Sequence, residues 1–465
     1  MTSSAPLLTA KTLAALEEGA LLLTGTNRLA RTLRREYDHV QEARDRNVWA
    51  SPAIASLGNW LKSLWQDELC FHEQISQDAV LLSRVHEEAV WERVIRAWCT
   101  QEERMLMQTS AAAESARTAY ALLHDWCLPA PTHDLHPTDD VRAFIAWKDA
   151  FDRWCEENGR MSSALLPQLV AEGYRQEKLK PPTMVYLAGF EQETPAQKNL
   201  LEALQSAGGT IEYLDPPERE RNVRVAARAT FDEEVEVCAR WIRQRLETNP
   251  EQTIGVVVPD LSQRRKHIER VLEDVLSPES ALPGAQPQRH INYSLGPRLS
   301  EYPLTAAALN ALGLLRGEIE LNELGSFLRS PFLGEGDSEA QARALLDVKL
   351  RRIGERNVRL PWLIEQAGNR ATEKARHCPI LESRLKRLQT LVEGFPSKGS
   401  PAHWTRTFVD ALVILGWPGE RTLSSFEYQV RQKWSDLLDT FAGLDTILDS
   451  LTLSESITRL RRLAA

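Results

Sequence analysis

The chain has 465 residues, of which 43% are hydrophobic and 26% are charged, and it carries a net charge of −9. This length predicts two to four domains, and the composition is that of an ordinary globular protein. The negative net charge excludes a uniformly basic protein, so any contact with nucleic acid has to come from a local basic surface. No apolar run reaches the ~18 residues of a membrane span, and the N-terminus lacks the basic region of a secretory signal. The sequence therefore predicts a cytoplasmic protein without a membrane partner.

The cysteines and histidines do not form a recognisable metal-binding pattern. The cysteines are widely spaced and none belongs to a Cys-x-x-Cys pair, which argues against zinc, an iron–sulfur cluster and a disulfide framework. His133 and His136 lie in a loop rich in proline and aspartate and are expected to be solvated. We predict no metal site and expect buried thiols in a reducing cytoplasm at Cys70, Cys99, Cys127, Cys155, Cys238 and Cys378.

Residues 20–32 combine a short apolar strand with the start of a helix. Residues 20–24 form the strand, and residues 25–32 have the spacing of the GxxxxGK[ST] phosphate loop of nucleotide hydrolases. Ala30 replaces the second glycine, and Arg31 replaces the lysine that reaches the phosphates as a compact charge. The sequence thus predicts the layout of a phosphate loop without its working parts.

The basic residues of this segment indicate an anion. Arg28 and Arg31 lie near the positive end of the predicted helix, where cations are mildly unfavourable. A nucleotide phosphate, a nucleic-acid phosphate or a carboxylate from elsewhere in the fold would each account for them. A tight strand-to-helix turn without a ligand is the alternative.

A second apolar strand is predicted at residues 184–188, and it lacks the acids that hydrolysis requires. Nucleotide hydrolases end this strand in Asp-Glu, whereas this chain continues into Ala188 and Gly189, which cannot ligate Mg²⁺. Glu191 lies beyond the strand end. We therefore assign no catalytic residue and expect no cofactor, with ATP and Mg²⁺ as a less favoured alternative.

Helices and apolar strands alternate along part of the chain. Residues 58–178 are predicted to be helical, strands are predicted at 184–188, 210–214, 222–228 and 253–258, and the chain beyond residue 300 is helical again. Capping boxes are predicted at 194–197 and 230–233. This order predicts an α/β fold with parallel sheets and large α-helical inserts, mostly helical overall.

Several segments, in this order, resemble the "probable DNA repair protein" family, an inactivated superfamily-one helicase fused to a RecB-type PD-(D/E)xK nuclease. The chain is more distantly similar to the AddB subunit of helicase-nucleases. The matching segments are 24–31, 49–52, 60–65, 187–190, 194–197, 255–261, 294–299 and 328–333.

The resemblance implies two P-loop NTPase or superfamily-one helicase-like domains. The first spans residues 1–222 with a helical insert at about 58–178, the second begins at 223–299, and residues 300–465 form a further helical insert. Family members continue beyond this point, so the resemblance implies a truncated chain without the nuclease. We expect the second domain to lack strands beside 253–258 and to expose apolar surface there.

The resemblance also implies site residues. Arg265 matches the arginine that faces the γ-phosphate in superfamily-one helicases. A degenerate nucleotide site would comprise Gly25, Thr26, Asn27, Arg31, Thr32 and Arg265. A DNA-binding surface would comprise Asn27, Arg28, Arg31, Arg34 and Arg35.

Three functions remain open from the sequence. The first is a non-catalytic module that binds DNA, single-stranded in particular, within a recombinational repair helicase-nuclease. The second is a weak ATPase that uses Arg31, Thr32 and Arg265. The third is a structural module that only binds another helicase-nuclease subunit.

Overall fold

The computed structural model describes residues 7–67, 79–129, 138–214, 223–282, 291–294, 296–369 and 377–465. Cys70, His133 and His136 lie outside the described residues. Cys155 and Cys378 are buried as expected, Cys99 and Cys238 are half-buried, and the expectation of burial is wrong for Cys127, which is exposed. The chain divides into two compact units. The first contains residues 1–218 and 307–463, and the second contains residues 219–306 with the last two residues. The domain boundaries expected from the sequence stay a prediction.

The fold is α/β and mostly helical, as the sequence predicts. No helix of the described residues is long and apolar enough to cross a membrane. The α-helices are α1 (Ala10–Glu17), α2 (Asn27–Ala43), α3 (Leu57–Asp67), α4 (Arg84–Gln101), α5 (Thr109–Asp125), α6 (Asp139–Glu157), α7 (Leu166–Arg175), α8 (Pro195–Ser206), α9 (Phe231–Thr248), α10 (Leu261–Leu276), α11 (Pro303–Gly313), α12 (Leu321–Leu328), α13 (Ala340–Ile353), α14 (Leu360–Gly368), α15 (Pro379–Glu393), α16 (Pro401–Ile414), α17 (Ser425–Ala442) and α18 (Leu453–Ala464).

A four-stranded parallel sheet organises the first unit. Its strands are β1 (Leu21–Thr24), β2 (Ile54–Ser56), β5 (Met184–Ala188) and β6 (Thr210–Leu214), in the order β2-β1-β5-β6. All neighbours are parallel, so the carboxyl ends of the four strands share one edge. From β1 the chain goes to β2 on one side, and from β5 it goes to β6 on the other. The carboxyl ends of β1 and β5 therefore flank a topological switch point, where α/β sheets usually bind ligands.

Alternating side chains of the strands fill two cores, one on each face of the sheet. Leu21, Leu23 and Val185 pack on one face with α3, α7 and α8. Leu22 and Tyr186 pack on the opposite face with α1 and α2. Continuous apolar strands are typical of a parallel sheet that helices cover on both sides.

Two shorter strand pairs complete the sheets. The strands β3 (Val80–Leu81) and β4 (Arg160–Met161) are parallel, whereas β7 (Glu318–Glu320) and β8 (Asn357–Arg359) are antiparallel.

The helices α4, α5 and α6 form the core of the predicted first insert. Trp91 on α4 is fully buried and stacks on Phe151 of α6, with the ring centroids 4.2 Å apart. Tyr120 of α5 meets Trp91 edge to face at 5.6 Å. Tryptophan and phenylalanine recur every three to four residues in this segment, which places them on one face of each helix. The aromatic contacts between these faces hold the helices together.

A buried carboxylate joins this insert to the last helix. Glu92 on α4 is 1% exposed and pairs with Arg459 and Arg462 of α18. Arg96, one turn along α4, lies 3.7 Å from the same carboxylate. Burial lowers the pKa of Arg459 below its usual range, and Glu92 opposes that shift. The pairing fixes α18 against a helix that lies far away in sequence.

The second unit departs from the predicted sheet. α9 and α10 pack through Val235, Ala239, Ile242, Ile268 and Leu272. The strands predicted at 222–228 and 253–258 are wrong for the described residues, because residues 223–228 and 253–258 join no sheet in the described part of this unit, while residue 222 lies outside the described residues. The expected exposed apolar surface is present.

The two capping boxes predicted from sequence lie at the starts of α8 and α9. Thr194 and Gln197 form the complete box at the start of α8, with Pro195 in the first turn, as predicted. At α9, Thr230 accepts a hydrogen bond from the backbone N–H of Glu233, but the Glu233 carboxylate accepts from Ala229 instead of from Thr230. The second prediction is therefore half correct, because the glutamate reaches one residue farther back.

Candidate functional site

The turn that connects β1 to α2 contains only Gly25 and Thr26, because α2 begins at Asn27. The Thr26 hydroxyl accepts a hydrogen bond from the backbone N–H of Leu29 at 3.2 Å and caps the helix. The Thr24 hydroxyl donates a hydrogen bond to the carbonyl of Thr26 at 2.8 Å and stabilises the turn. Most of the segment with phosphate-loop spacing is therefore helical, and the turn itself is shorter than a loop that wraps a phosphate.

The backbone of this turn packs directly on the exit of β5. Gly25 donates its N–H to the carbonyl of Ala188 at 3.2 Å. A Cβ on residue 25 would lie 2.6 Å from the carbonyl oxygen of Gly189, and Gly189 itself has a φ of +72°. The glycines therefore allow two backbones to meet at the switch point.

Asn27 connects the starts of α2 and α3. Its side-chain oxygen accepts hydrogen bonds from the hydroxyl of Ser56 and from the amide of Asn59, the latter at 3.0 Å. Ser56 also accepts from the backbone N–H of Asn59 at 3.4 Å, so it caps α3. Because both donors hold the oxygen, the Asn27 amide group is left as a donor without a partner among the described residues. The positive ends of two helices lie beside it.

A shallow groove of about 640 Å³ runs between α2, α3 and the edge strand β2. Polar and cationic side chains line it at Asn27, Arg31, Arg34, Asn59 and Ser63, and no carboxylate is among its described lining residues. Arg34 donates to the carbonyl of Ile54 at the groove floor, and Arg31 donates to the carbonyl of Asn27 at 3.4 Å. The groove is therefore electropositive and rich in hydrogen-bond donors.

Four arginines of α2 form one exposed basic face. Arg28, Arg31, Arg34 and Arg35 are all exposed and fall within about 120° around the helix axis at 3.6 residues per turn. None of them pairs with a carboxylate of the described residues, whereas about half of the other exposed arginines in the described structure have a carboxylate within 4 Å. We name this set, together with Asn27, the α2 basic face.

A second cleft of about 640 Å³ lies at the switch point itself. Its lining includes Gly25, Gly189 and Lys62, but also the carboxyl groups of Asp125 and Glu191. Burial raises the pKa of Asp125 above its usual range. This cleft has mixed charge, so an anion is favoured in the α2–α3 groove rather than here.

Thr32 and Arg265, which complete the predicted nucleotide site, are not among the lining residues of the groove. The Thr32 hydroxyl is exposed and donates to the carbonyl of Arg28 at 3.1 Å. Arg265 belongs to the second unit, on α10, where its Nη2 lies 3.5 Å from Glu269 and its guanidinium lies over the ring of Tyr293. A nucleotide site at these residues stays a prediction.

Sequence reasoning missed Ser56, Asn59 and Ser63 as members of the groove. The Ser-x-x-Asn spacing at 56–59, directly after an apolar strand, is a helix-start signal that could have found the first two. Ser63 gives no sequence signal of its own, and its hydroxyl donates to Asp67 at 2.8 Å. Among the described residues, no three histidine, cysteine, aspartate or glutamate side chains cluster as metal ligands would.

Comparison of the sequence with known proteins does not assign this chain to a family. No protein-family model matches this sequence, and no curated protein shows significant similarity to it. The resemblance to inactivated helicases therefore rests on the residues quoted above and stays a prediction.

Proposed function

We propose that this protein is a non-catalytic, helicase-like DNA-binding module of a recombinational repair helicase-nuclease, and that the α2 basic face holds the DNA backbone. The observation that carries the proposal is the exposed row of four arginines without carboxylate partners in the described structure, next to a groove without lining carboxylates. The helicase-like and repair parts of the proposal rest on the sequence resemblance.

Electrostatics supports a phosphate as the ligand. The α2–α3 groove favours a negative charge. The N-termini of the two helices, the free amide of Asn27 and the guanidinium groups of Arg31 and Arg34 all contribute to this preference. A net charge of −9 gives the whole chain a weak long-range repulsion for nucleic acid, so DNA has to approach through a local basic face.

Single-stranded DNA suits the groove better than a duplex does. The groove is shallow and is bounded by the first turns of two helices, which suits one flexible backbone. A second helicase-nuclease subunit is the other partner that the resemblance supports.

The proposal contains no ATP hydrolysis. β5 ends at Ala188 and is followed by Gly189, neither of which can hold a metal ion through its side chain. The Thr32 hydroxyl, which would bind Mg²⁺ in an active phosphate loop, lies one turn into α2 and bonds to the helix backbone.

The test is binding of fluorescent single-stranded DNA by anisotropy across a salt series, with and without Mg-ATP. We expect affinity that falls steeply with salt and ignores ATP. For single strands the slope of log K against log salt changes by about 0.7 per phosphate contact. Arg28→Ala/Arg31→Ala should therefore lower the slope by about 1.4.

The matched control is Arg240→Ala/Arg243→Ala, which makes the same change of charge on α9. Both of these arginines are exposed and paired with glutamates one turn away, at 2.8 Å and 2.9 Å. Equal losses in both double variants would mean that only net charge matters and would contradict the proposed face. No binding at low salt would favour a structural module, and an ATP-dependent change would favour a working nucleotide site.

A further inference from the structure

The contact between α4 and α18 holds more positive than negative charge. The Glu92 carboxylate, 1% exposed, lies within 4 Å of the guanidinium groups of Arg459, Arg462 and Arg96. One carboxylate neutralises only one of these three cations. Arg459 is buried beside it, with a side chain that is 7% exposed, and takes up that negative charge. Arg96 and Arg462 are left with the excess positive charge, and we name them the joint arginines.

The neighbouring charged groups do not use up this excess. Arg93 on α4 is balanced by Asp449, whose carboxylate lies 3.3 Å away. The carboxylate of Glu455 accepts hydrogen bonds from the backbone N–H and the hydroxyl of Thr452, both at 2.8 Å, and so caps α18. Those hydrogen bonds, and then the positive charge of Arg96, lower the pKa of Glu455. Glu455 therefore feels one joint arginine without pairing with it.

Both joint arginines are accessible from solvent. The side chain of Arg96 is 56% exposed and that of Arg462 is 40% exposed. Their Nη2 atoms lie at different oxygens of the Glu92 carboxylate, that of Arg96 at 3.7 Å. The two Nη2 atoms are therefore at most about 8 Å apart, a span that one phosphate group bridges when it accepts a charge-assisted hydrogen bond at each of two oxygens.

The crowding of cations acts on the buried arginine as well. Burial lowers the pKa of Arg459, and the charges of Arg462 and Arg96 lower it further, against the opposing effect of Glu92. An anion bound at the joint arginines would offset this repulsion. A phosphate group suits the position, because the planar guanidinium fork matches the geometry of its oxygens.

We propose that Arg96 and Arg462 form a phosphate-binding site at the contact between α4 and α18, in addition to the α2 basic face. The phosphate is held from two helices that are distant in sequence, on the solvent side of the Glu92 carboxylate. A free phosphate group and a phosphate of a nucleic-acid backbone present the same oxygens to these guanidinium groups.

The test uses a parent chain that carries Arg28→Ala/Arg31→Ala, so that the α2 basic face contributes no phosphate binding. Isothermal titration calorimetry with inorganic phosphate at constant ionic strength should show saturable binding. Arg96→Gln and Arg462→Gln, each in the parent, should raise the dissociation constant at least about tenfold, because each removes one of the two guanidinium groups. Arg84→Gln is the matched control, since this exposed arginine of α4 is also paired with a glutamate one turn away, at 2.8 Å. It should leave phosphate binding unchanged.

Thermal unfolding provides the second readout. Phosphate should raise the melting temperature of the parent more than chloride of equal ionic strength does, and Arg96→Gln should reduce that rise. The general stabilisation that phosphate gives as an excluded salt is the same in all variants, so Arg84→Gln should show the full rise. If Arg462→Gln does not fold, Arg96→Gln decides the outcome.

Single-stranded DNA distinguishes the two sources of the phosphate. If the site holds a DNA backbone, Arg96→Gln/Arg462→Gln in the otherwise unchanged chain should lower the salt slope of DNA binding by about 1.4. If it holds a free phosphate group, DNA binding should stay the same while phosphate binding is lost. Either result supports the site, and neither depends on whether the α2 basic face binds DNA. A parent chain that shows no saturable phosphate binding would overturn the proposal, and so would binding that Arg96→Gln retains or that Arg84→Gln weakens equally.

Discussion

The α-carbon of Gly25 faces the carbonyl oxygen of Gly189 so closely that a methyl group on residue 25 would lie 2.6 Å from that oxygen. Real Cβ atoms do not approach an oxygen to this distance, so the turn after β1 and the exit of β5 are matched to each other. The contact sets the position at which α2 begins, and with it the position of the α2 basic face.

Gly25→Ala should therefore destabilise the first unit. Because the obstacle is backbone, the sheet edge has to shift, and we expect a loss of about 1–3 kcal/mol in the free energy of unfolding. Gly58→Ala is the control, since a Cβ there meets nothing within 4 Å and the residue is helical. It should be neutral or stabilising by up to about 1 kcal/mol. Urea denaturation measures both, and equal stability of the two variants would contradict the packing argument.

Substitutions of Asn27 should separate stability from DNA binding. Asn27→Asp keeps the oxygen that Ser56 and Asn59 bind and places a negative charge at the start of α2, which stabilises the helix by about 0.3–1 kcal/mol. The same charge repels phosphate, so DNA affinity should fall. Asn27→Ala loses the bridge and should cost about 1 kcal/mol. Denaturation and anisotropy on the same preparations check this, and tighter DNA binding by Asn27→Asp would remove the groove as the phosphate site.

Glu92→Gln should be strongly destabilising. The variant keeps the shape of the side chain but leaves the buried Arg459 without its negative partner, and such a loss typically costs about 3–5 kcal/mol. Glu88→Gln on the same helix breaks a more exposed pair with Arg84, 2.8 Å long, and should cost under about 1 kcal/mol. Chemical denaturation distinguishes them, and a small effect of Glu92→Gln would mean that α18 is held by apolar packing alone.

The pairing of Arg421 with Glu427 predicts a pH dependence. Hydrogen bonds from Arg421, reinforced by the Ser424 backbone, lower the pKa of Glu427 to about 2 in the folded protein, from an ordinary value of 4.5. The stabilisation is complete above pH 4.5 and is lost as the pH falls towards 2. The difference in melting temperature between wild type and Glu427→Gln should be constant from neutral pH down to this range and then shrink. A difference that grows with acidity would contradict the assignment.

Three of the four strands in the sheet of the first unit could be predicted from sequence because their signals are local. Residues 20–24 and 184–188 are apolar runs, residues 210–214 combine β-branched and aromatic residues after two glycines, and each of these segments contains a strand. The short strand β2 (Ile54–Ser56) is not among the predicted strands. The capping box at Thr194 could be predicted for the same reason, since its two hydrogen bonds join residues only three positions apart.

Other features depend on contacts that no local pattern encodes. Thr253–Val258 has the composition of a buried strand, but a strand forms only where another strand pairs with it. The phosphate-loop spacing at 25–32 does not specify the residue at which the helix begins. In the structure the turn has two residues, and it packs against Gly189, which comes from a distant part of the sequence. The groove between α2 and α3 likewise arises when β2 is placed beside β1.

The pair formed by Glu92 and Arg459 has a consequence for synthesis of the chain. The two residues are 367 positions apart, so at about 5–20 residues per second a ribosome needs roughly 20–70 s to make the arginine after the glutamate. Throughout that interval α18 is not yet available to the Glu92 carboxylate. The contact between the first helical insert and α18 therefore forms only after α18 has been translated.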